Sequence, residues 1–73
     1  MIKIGDKVDT RFGIATIIGI EICERVGDKY GVPAIAVDEE DKNRCVFDLD
    51  NKHWQYGNQI TKINEKALDI NMN

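Results

Sequence analysis

The chain has 73 residues, of which 42% are hydrophobic, so it has room for one small core and not for two domains. Ten Lys and Arg residues stand against thirteen Asp and Glu residues, giving a net charge of −3. The basic residues are scattered singly, which argues against tight nucleic-acid binding through a continuous basic surface.

The first third of the chain predicts two strands joined by a glycine turn. Polar and apolar residues alternate over 7–12, the period of a half-buried strand, and Gly13 then permits a tight turn. A long β-branched strand follows, and we expect Gly19 to mark a bulge or sharp bend within it. The alternation assigns the following residues to one face of that strand: Ile14, Thr16, Ile18, Ile20 and Ile22.

The middle of the chain reads as loops around one short strand. Residues 27–31 form a loop by composition, and Tyr30 within it is the aromatic residue we expect to be most exposed. Pro33 lacks a backbone N–H, so it suits the start or edge of a strand over 34–37. A run of four acidic residues is too charged for burial and predicts a hairpin tip: Asp38, Glu39, Glu40 and Asp41.

The last third predicts two further strands and a closing strand. Alternation over 44–49 places Cys45, Phe47 and Leu49 on one face. A turn at 50–52 follows, in which Asn51 is suited to a left-handed conformation. A strand over 53–56, a helical turn at 57–59 and a strand over 60–63 complete the domain, leaving 64–73 as a tail or short helix.

Short strands separated by turn signals about every ten residues are typical of a small all-β barrel or sandwich. At this length a barrel is the better solution, because closure leaves fewer open strand edges. We therefore predict an SH3-like antiparallel barrel of five or six strands over residues 1–63. One long bent strand would serve both halves of its sheet.

The segment from Gly5 to Glu21 resembles the opening of Tudor-like and KOW-like SH3 barrels. It reads Gly-Asp-x-Val and, after three residues, Phe-Gly-x-Ala-x-Ile-x-Gly-Ile-Glu. Similar segments occur in the RNA-polymerase-interacting domains of CarD and transcription-repair coupling factors, and in the Tudor-like domain of UvrD-type helicases. The resemblance implies docking on RNA polymerase, or on another protein of transcription or DNA repair, through a sheet edge.

The chemistry available favours a binding module over an enzyme. No nucleophile, base and orienting acid form a motif, and the glutamates beside Cys23 disfavour a thiolate. Two cysteines and one histidine give no disulfide framework or metal-ligand spacing, and we expect no cofactor. No apolar run approaches the roughly 18 residues of a membrane span, so we expect a cytoplasmic protein, of bacterial or phage origin by its Ile- and Asn-rich composition.

The candidate partner-binding residues are aromatic and acidic. We expect Trp54 and Tyr56 to fill the core, because Phe12 and Phe47 alone would leave the interior under-filled. His53 and Gln55 would then be the exposed residues of that strand. The alternative is that the pair lines a peptide groove or a cage for a cation. The full set of candidates is Tyr30, His53, Trp54, Tyr56, Asp38, Glu39, Glu40 and Asp41.

Three functions compete on these features. The preferred one is docking on a protein partner through an edge or groove. The second is a KOW-like nucleic-acid contact through scattered basic residues, which are Arg11, Lys29, Arg44 and Lys52. The third is a phage-type inhibitor whose acidic residues occupy the basic site of a nucleic-acid-handling enzyme.

Overall fold

The computed structural model describes residues 1–23 and 31–63, which form an antiparallel β-fold with two short 3₁₀ helices. The helices span Glu39–Arg44 and Gly57–Gln59. The strands of the described residues are β1 (Ile2–Lys3), β2 (Lys7–Thr10), β3 (Gly13–Ile22), β4 (Val32–Ala34), β5 (Ala36–Val37), β6 (Cys45–Leu49), β7 (Trp54–Tyr56) and β8 (Thr61–Lys62).

The long strand β3 organises the sheet, as the sequence predicts. Its first half pairs with β2, and its second half pairs with β6 on one side and β4 on the other. The strand order is β7-β6-β3-β2-β8, with β1 and β5 forming a separate pair. The antiparallel all-β class is therefore confirmed. Because β7 and β8 end the sheet, these pairings leave it open and do not by themselves close a barrel.

A bulge in β3 decides which side chains reach the core. The register with β6 shifts between Ile17 and Gly19, so the bend predicted near Gly19 is confirmed. The extra residue reverses the inward face, and Ile18 is exposed whereas Ile20 is buried. The predicted single face from Ile14 to Ile22 is therefore wrong: before the bulge, Ala15 and Ile17 point inward instead.

The core lies between the two halves of the sheet and is largely aliphatic. Phe47 is its only fully buried aromatic side chain among the described residues, and Cys45 and Leu49 beside it confirm the face predicted for β6. Phe12, expected inside, is 47% exposed because it sits on the β2–β3 turn. The core cluster comprises Ile2, Val8, Ala15, Ile17, Ile20, Val37, Cys45, Phe47, Leu49 and Ile60.

Two predicted loop conformations are corrected. The acidic run is not a hairpin tip, because Glu39–Arg44 forms a 3₁₀ helix that leads directly into β6. In the β6–β7 turn, Lys52 and not Asn51 takes the left-handed conformation, with φ 71°. The Asn51 side chain instead accepts a hydrogen bond from the His53 N–H at 3.1 Å.

The remaining short elements follow the predictions closely. Pro33 lies in β4, which among the described strands pairs with β3 alone, so its edge position is confirmed. The strand predicted over 34–37 is divided, however, because Ile35 interrupts β4 and β5. The helical turn at 57–59 and the closing strand are present, whereas the predicted tail at 64–73 lies outside the described residues.

Asp6 interacts with residues of both β1 and β8. Its carboxylate accepts a hydrogen bond from the Lys3 N–H at 2.9 Å and lies 3.2 Å from the Lys62 ammonium. The same ammonium donates to the Met1 carbonyl at 2.8 Å. Burial raises the pKa of Asp6, but the Lys3 N–H and the Lys62 ammonium outweigh burial and hold the pKa below its usual value.

Candidate partner-binding surface

Trp54 and Tyr56 lie on the outside of the sheet, so the expectation that they fill the core is wrong. Trp54 is 53% exposed and Tyr56 is 41% exposed, whereas Gln55 between them is 5% exposed. Their cross-strand partners are Asp48 and Val46 on the outward face of β6. The core cluster around Phe47 forms without this aromatic pair.

The two exposed rings contact each other at right angles. Their centroids are 5.2 Å apart and their planes meet at 86°. This edge-to-face arrangement is favourable for aromatic rings and fixes both side chains relative to the strand. Trp54 and Tyr56 therefore present a preformed aromatic surface rather than two independent side chains.

The strand that carries this pair is an edge strand. The Leu49 N–H donates to the His53 carbonyl at 3.0 Å, which sets the alternation of hydrogen bonding between β6 and β7. By that alternation the backbone polar groups of Trp54 face away from β6. The Tyr56 N–H is engaged by the Gln59 side chain at 2.9 Å, so the open stretch of edge centres on Trp54.

His53 belongs to a second aromatic pair, at the end of the sheet. Its ring stacks on Phe12 with centroids 3.8 Å apart and planes 7° from parallel. The Arg11 guanidinium lies 5.3 Å from the centre of the Phe12 ring. The Thr10 hydroxyl, which accepts from the Phe12 N–H, fixes this turn. Phe12 was not predicted as a surface residue, although its place beside the turn glycine was a usable signal.

An open groove of about 730 Å³ lies along β3, β4 and the residues that follow β1. We call it the Ile35 groove. Asp48, the cross-strand partner of Trp54, reaches into it over Gly19: a Cβ on Gly19 would lie 2.9 Å from the Asp48 Oδ2. Its lining consists of Ile4, Gly19, Ile20, Glu21, Pro33, Ala34, Ile35, Ala36 and Asp48.

The predicted acidic residues form a separate feature on the Glu39–Arg44 helix. Asp38, Glu39 and Glu40 are exposed, whereas Asp41 is half-buried and pairs with Arg44 at 3.4 Å. The helix packs against the Gly57–Gln59 helix, which directly follows Tyr56. The fold therefore brings the acidic helix near one end of β7. Tyr30 lies outside the described residues.

Chemically reactive groups are few in the part of the chain that the structure describes. Burial raises the pKa of the Cys45 thiol, and Asp41 nearby acts in the same direction. Within residues 1–23 and 31–63, no three His, Cys, Asp or Glu side chains are grouped so as to hold a metal ion. Among those residues no helix has the length and apolar character needed to cross a membrane.

Comparison of the chain with protein-family models, curated proteins and solved structures finds no match. The surface must therefore be interpreted from its own geometry. That geometry consists of an aromatic pair on an edge strand, an adjacent groove containing carboxylates, and a stacked Phe12–His53 pair at the end of the sheet.

Proposed function

We propose that this chain is a small, non-catalytic, SH3-like module that binds a protein partner through β7 and its outer face. The observation that carries the proposal is the exposure of Trp54 and Tyr56, in mutual contact, on a strand whose outer edge pairs with no other described strand. Aromatic residues are enriched at protein interfaces because they bury large areas at low cost in conformational entropy.

The partner we propose is RNA polymerase or another protein of transcription or DNA repair. This part of the proposal comes from the resemblance of Gly5 to Glu21 to Tudor-like and KOW-like barrels. The bend of β3 at Gly19 supports an SH3-like closure, since such a barrel needs one strand to serve both halves of its sheet. An unpaired edge strand with an aromatic anchor supports docking by strand addition.

The test is binding of the full chain to purified bacterial RNA polymerase, alongside capture of proteins from bacterial lysate, at low and moderate salt. Trp54→Ala should abolish a salt-resistant, stoichiometric complex while the variant stays folded. Ile14→Ala is the matched control, because Ile14 is 69% exposed and lies outside β7. Equal binding by Trp54→Ala and the unmodified chain would refute docking through β7.

A nucleic-acid contact is the second candidate, favoured by the stack of Phe12 on His53 with Arg11 above it. Stacked aromatic and basic side chains are the usual elements of single-strand recognition. Of the four basic residues predicted for this role, Arg44 instead donates to the Cys23 carbonyl, and Lys29 lies outside the described residues. Binding to single-stranded DNA that falls steeply with salt and is lost in Phe12→Ala would favour this function.

The acidic-inhibitor alternative depends on the Glu39–Arg44 helix. It predicts competition with DNA for the basic site of an enzyme. Glu40→Gln combined with Glu39→Gln should then weaken inhibition, whereas Trp54→Ala should not.

A further inference from the structure

We propose that the Ile35 groove binds an arginine side chain carried by an extended segment of the protein partner. This inference rests on the proposed function and specifies the chemistry that the partner must present. It follows from three properties of the groove: an exposed apolar wall, two unpaired carboxylates, and the neighbouring Trp54.

The apolar wall of the groove is exposed. Ile35 is 79% exposed and Ile4 is 41% exposed. The Ile4 N–H donates to the Ile35 carbonyl at 3.0 Å, so the backbone holds these two residues together. Covering the exposed parts of both side chains with apolar groups of a partner would be favourable. The wall can thus contact an apolar side chain that neighbours the arginine in the partner segment.

Two carboxylates in the groove have no cationic partner among the described residues. Four acidic side chains in the described part of the chain are half-buried: Asp6, Asp41, Glu21 and Asp48. Asp6 is paired with lysines and Asp41 with Arg44. No hydrogen bond or ion pair with the described residues engages the Glu21 or Asp48 carboxylate. Partial burial without a partner makes these two the strongest local attraction for a positive charge.

Trp54 determines which positive charge fits best. It is the cross-strand partner of Asp48 on the outer face, and its ring is exposed. A guanidinium binds a carboxylate through two parallel hydrogen bonds and also stacks on an aromatic face, whereas an ammonium acts as a point charge. Arginine is therefore the side chain that uses both Asp48 and Trp54.

The volume and charge of the groove favour a protein segment over other occupants. About 730 Å³ exceeds what one side chain fills, so neighbouring residues of the segment would enter as well. Two carboxylates repel phosphate groups, which disfavours nucleic acid and phospholipid here. An acidic peptide is disfavoured for the same reason.

The experiment titrates the full, ¹⁵N-labelled chain with three fluorescein-labelled nonapeptides that differ only at the central position. The peptides are valine-rich and carry Arg, Lys or Gln at the centre. We expect the Arg peptide to bind about tenfold more tightly than the Gln peptide, with Lys in between. Amide shifts should centre on Gly19 and Ile35, with the Trp54 indole N–H shifting as well.

Two charge-neutralising variants locate the cation. Asp48→Asn should reduce the advantage of the Arg peptide at least fivefold. Asp9→Asn removes the same charge from an exposed position of β2, outside the groove, and should leave that advantage unchanged. Circular dichroism checks that each variant is folded, and Glu21→Gln replaces Asp48→Asn if that variant is not.

The inference is overturned if the Arg and Gln peptides bind equally, if neither binds at millimolar concentration, or if Asp9→Asn weakens binding as much as Asp48→Asn does. Sedimentation that shows a dimer dissociated by Asp48→Asn would overturn it in favour of a second copy. If a protein complex survives Asp48→Asn but not Trp54→Ala, the arginine site is refuted while the proposed function stands. If the protein complex survives in both variants, the proposed function itself is refuted.

Discussion

Gly57→Ala should strongly destabilise this protein, although it adds a single methyl group. Gly57 is buried where the Gly57–Gln59 helix meets the Glu39–Arg44 helix. A Cβ at this position would overlap the carbonyl group of Lys42 and lie 2.8 Å from the Lys42 Cγ. Because the overlapping atoms belong to the backbone, a side-chain rotation cannot relieve the contact, and one of the two helices must move.

The expected cost is about 3 kcal/mol or more, the upper range for overpacking a close-packed site. A domain of this size has a net stability of roughly 3–5 kcal/mol, so the variant would retain little of it. Thermal unfolding followed by circular dichroism should show Tm lower by about 12–24 °C.

Gly13→Ala is the matched control for this change. Gly13 has φ 100°, but no atom lies within 4 Å of an added Cβ, so only backbone strain of about 1–3 kcal/mol is expected. A Tm for Gly57→Ala within about 5 °C of the unmodified chain, or above that of Gly13→Ala, would show that the two helices do not pack this closely.

Three further predictions address charge, burial and the aromatic surface. The pKa of Asp6 is lower in the folded state than in the unfolded state. The contribution of this carboxylate to the free energy of unfolding is therefore complete above the unfolded pKa of about 3.9, and it is lost as pH falls through the folded pKa. Asp6→Asn should thus lower stability at pH 7 by about 1 kcal/mol and flatten its decline below pH 4 in urea titrations. The buried Gln55 Oε1 has no hydrogen-bond partner among the described residues, so Gln55→Met should raise Tm by about 4–8 °C, and a fall in Tm would contradict this. Trp54→Ala should lower the free energy of unfolding by about 1–2 kcal/mol, and Phe47→Ala should lower it by about 3–5 kcal/mol. Equal losses would show that Trp54 is a core residue.

The order of elements could be predicted from the sequence because local signals determine it. Gly13 and Pro33 each fix a backbone feature on their own, and the alternation over β6 identifies Phe47 as core. The inward face of β3 could not be predicted in the same way. It depends on where one extra residue enters the pairing with β6, and that position is set by a distant strand.

The candidate site was harder to predict for a related reason. Trp54 and Tyr56 are apolar enough for a core, and only the pairing of β7 with β6 determines which face they take. The sequence offered no measure of whether aliphatic residues alone would fill the interior. The Ile35 groove joins residues from four separate stretches of chain, so no local pattern could have indicated it.

The bulge in β3 also protects the strand against misalignment. Before it, odd-numbered positions such as Ile17 face inward, and after it, even-numbered positions such as Ile20 do so. A simple alternating strand can slide by two residues and keep its buried face. Here the two halves are out of phase, so if β3 slid by two residues past a bulge that kept its position against β6, the residues passing the bulge would turn to the wrong face. The bulge thus favours the native register of β3 with β6 over registers shifted by two residues.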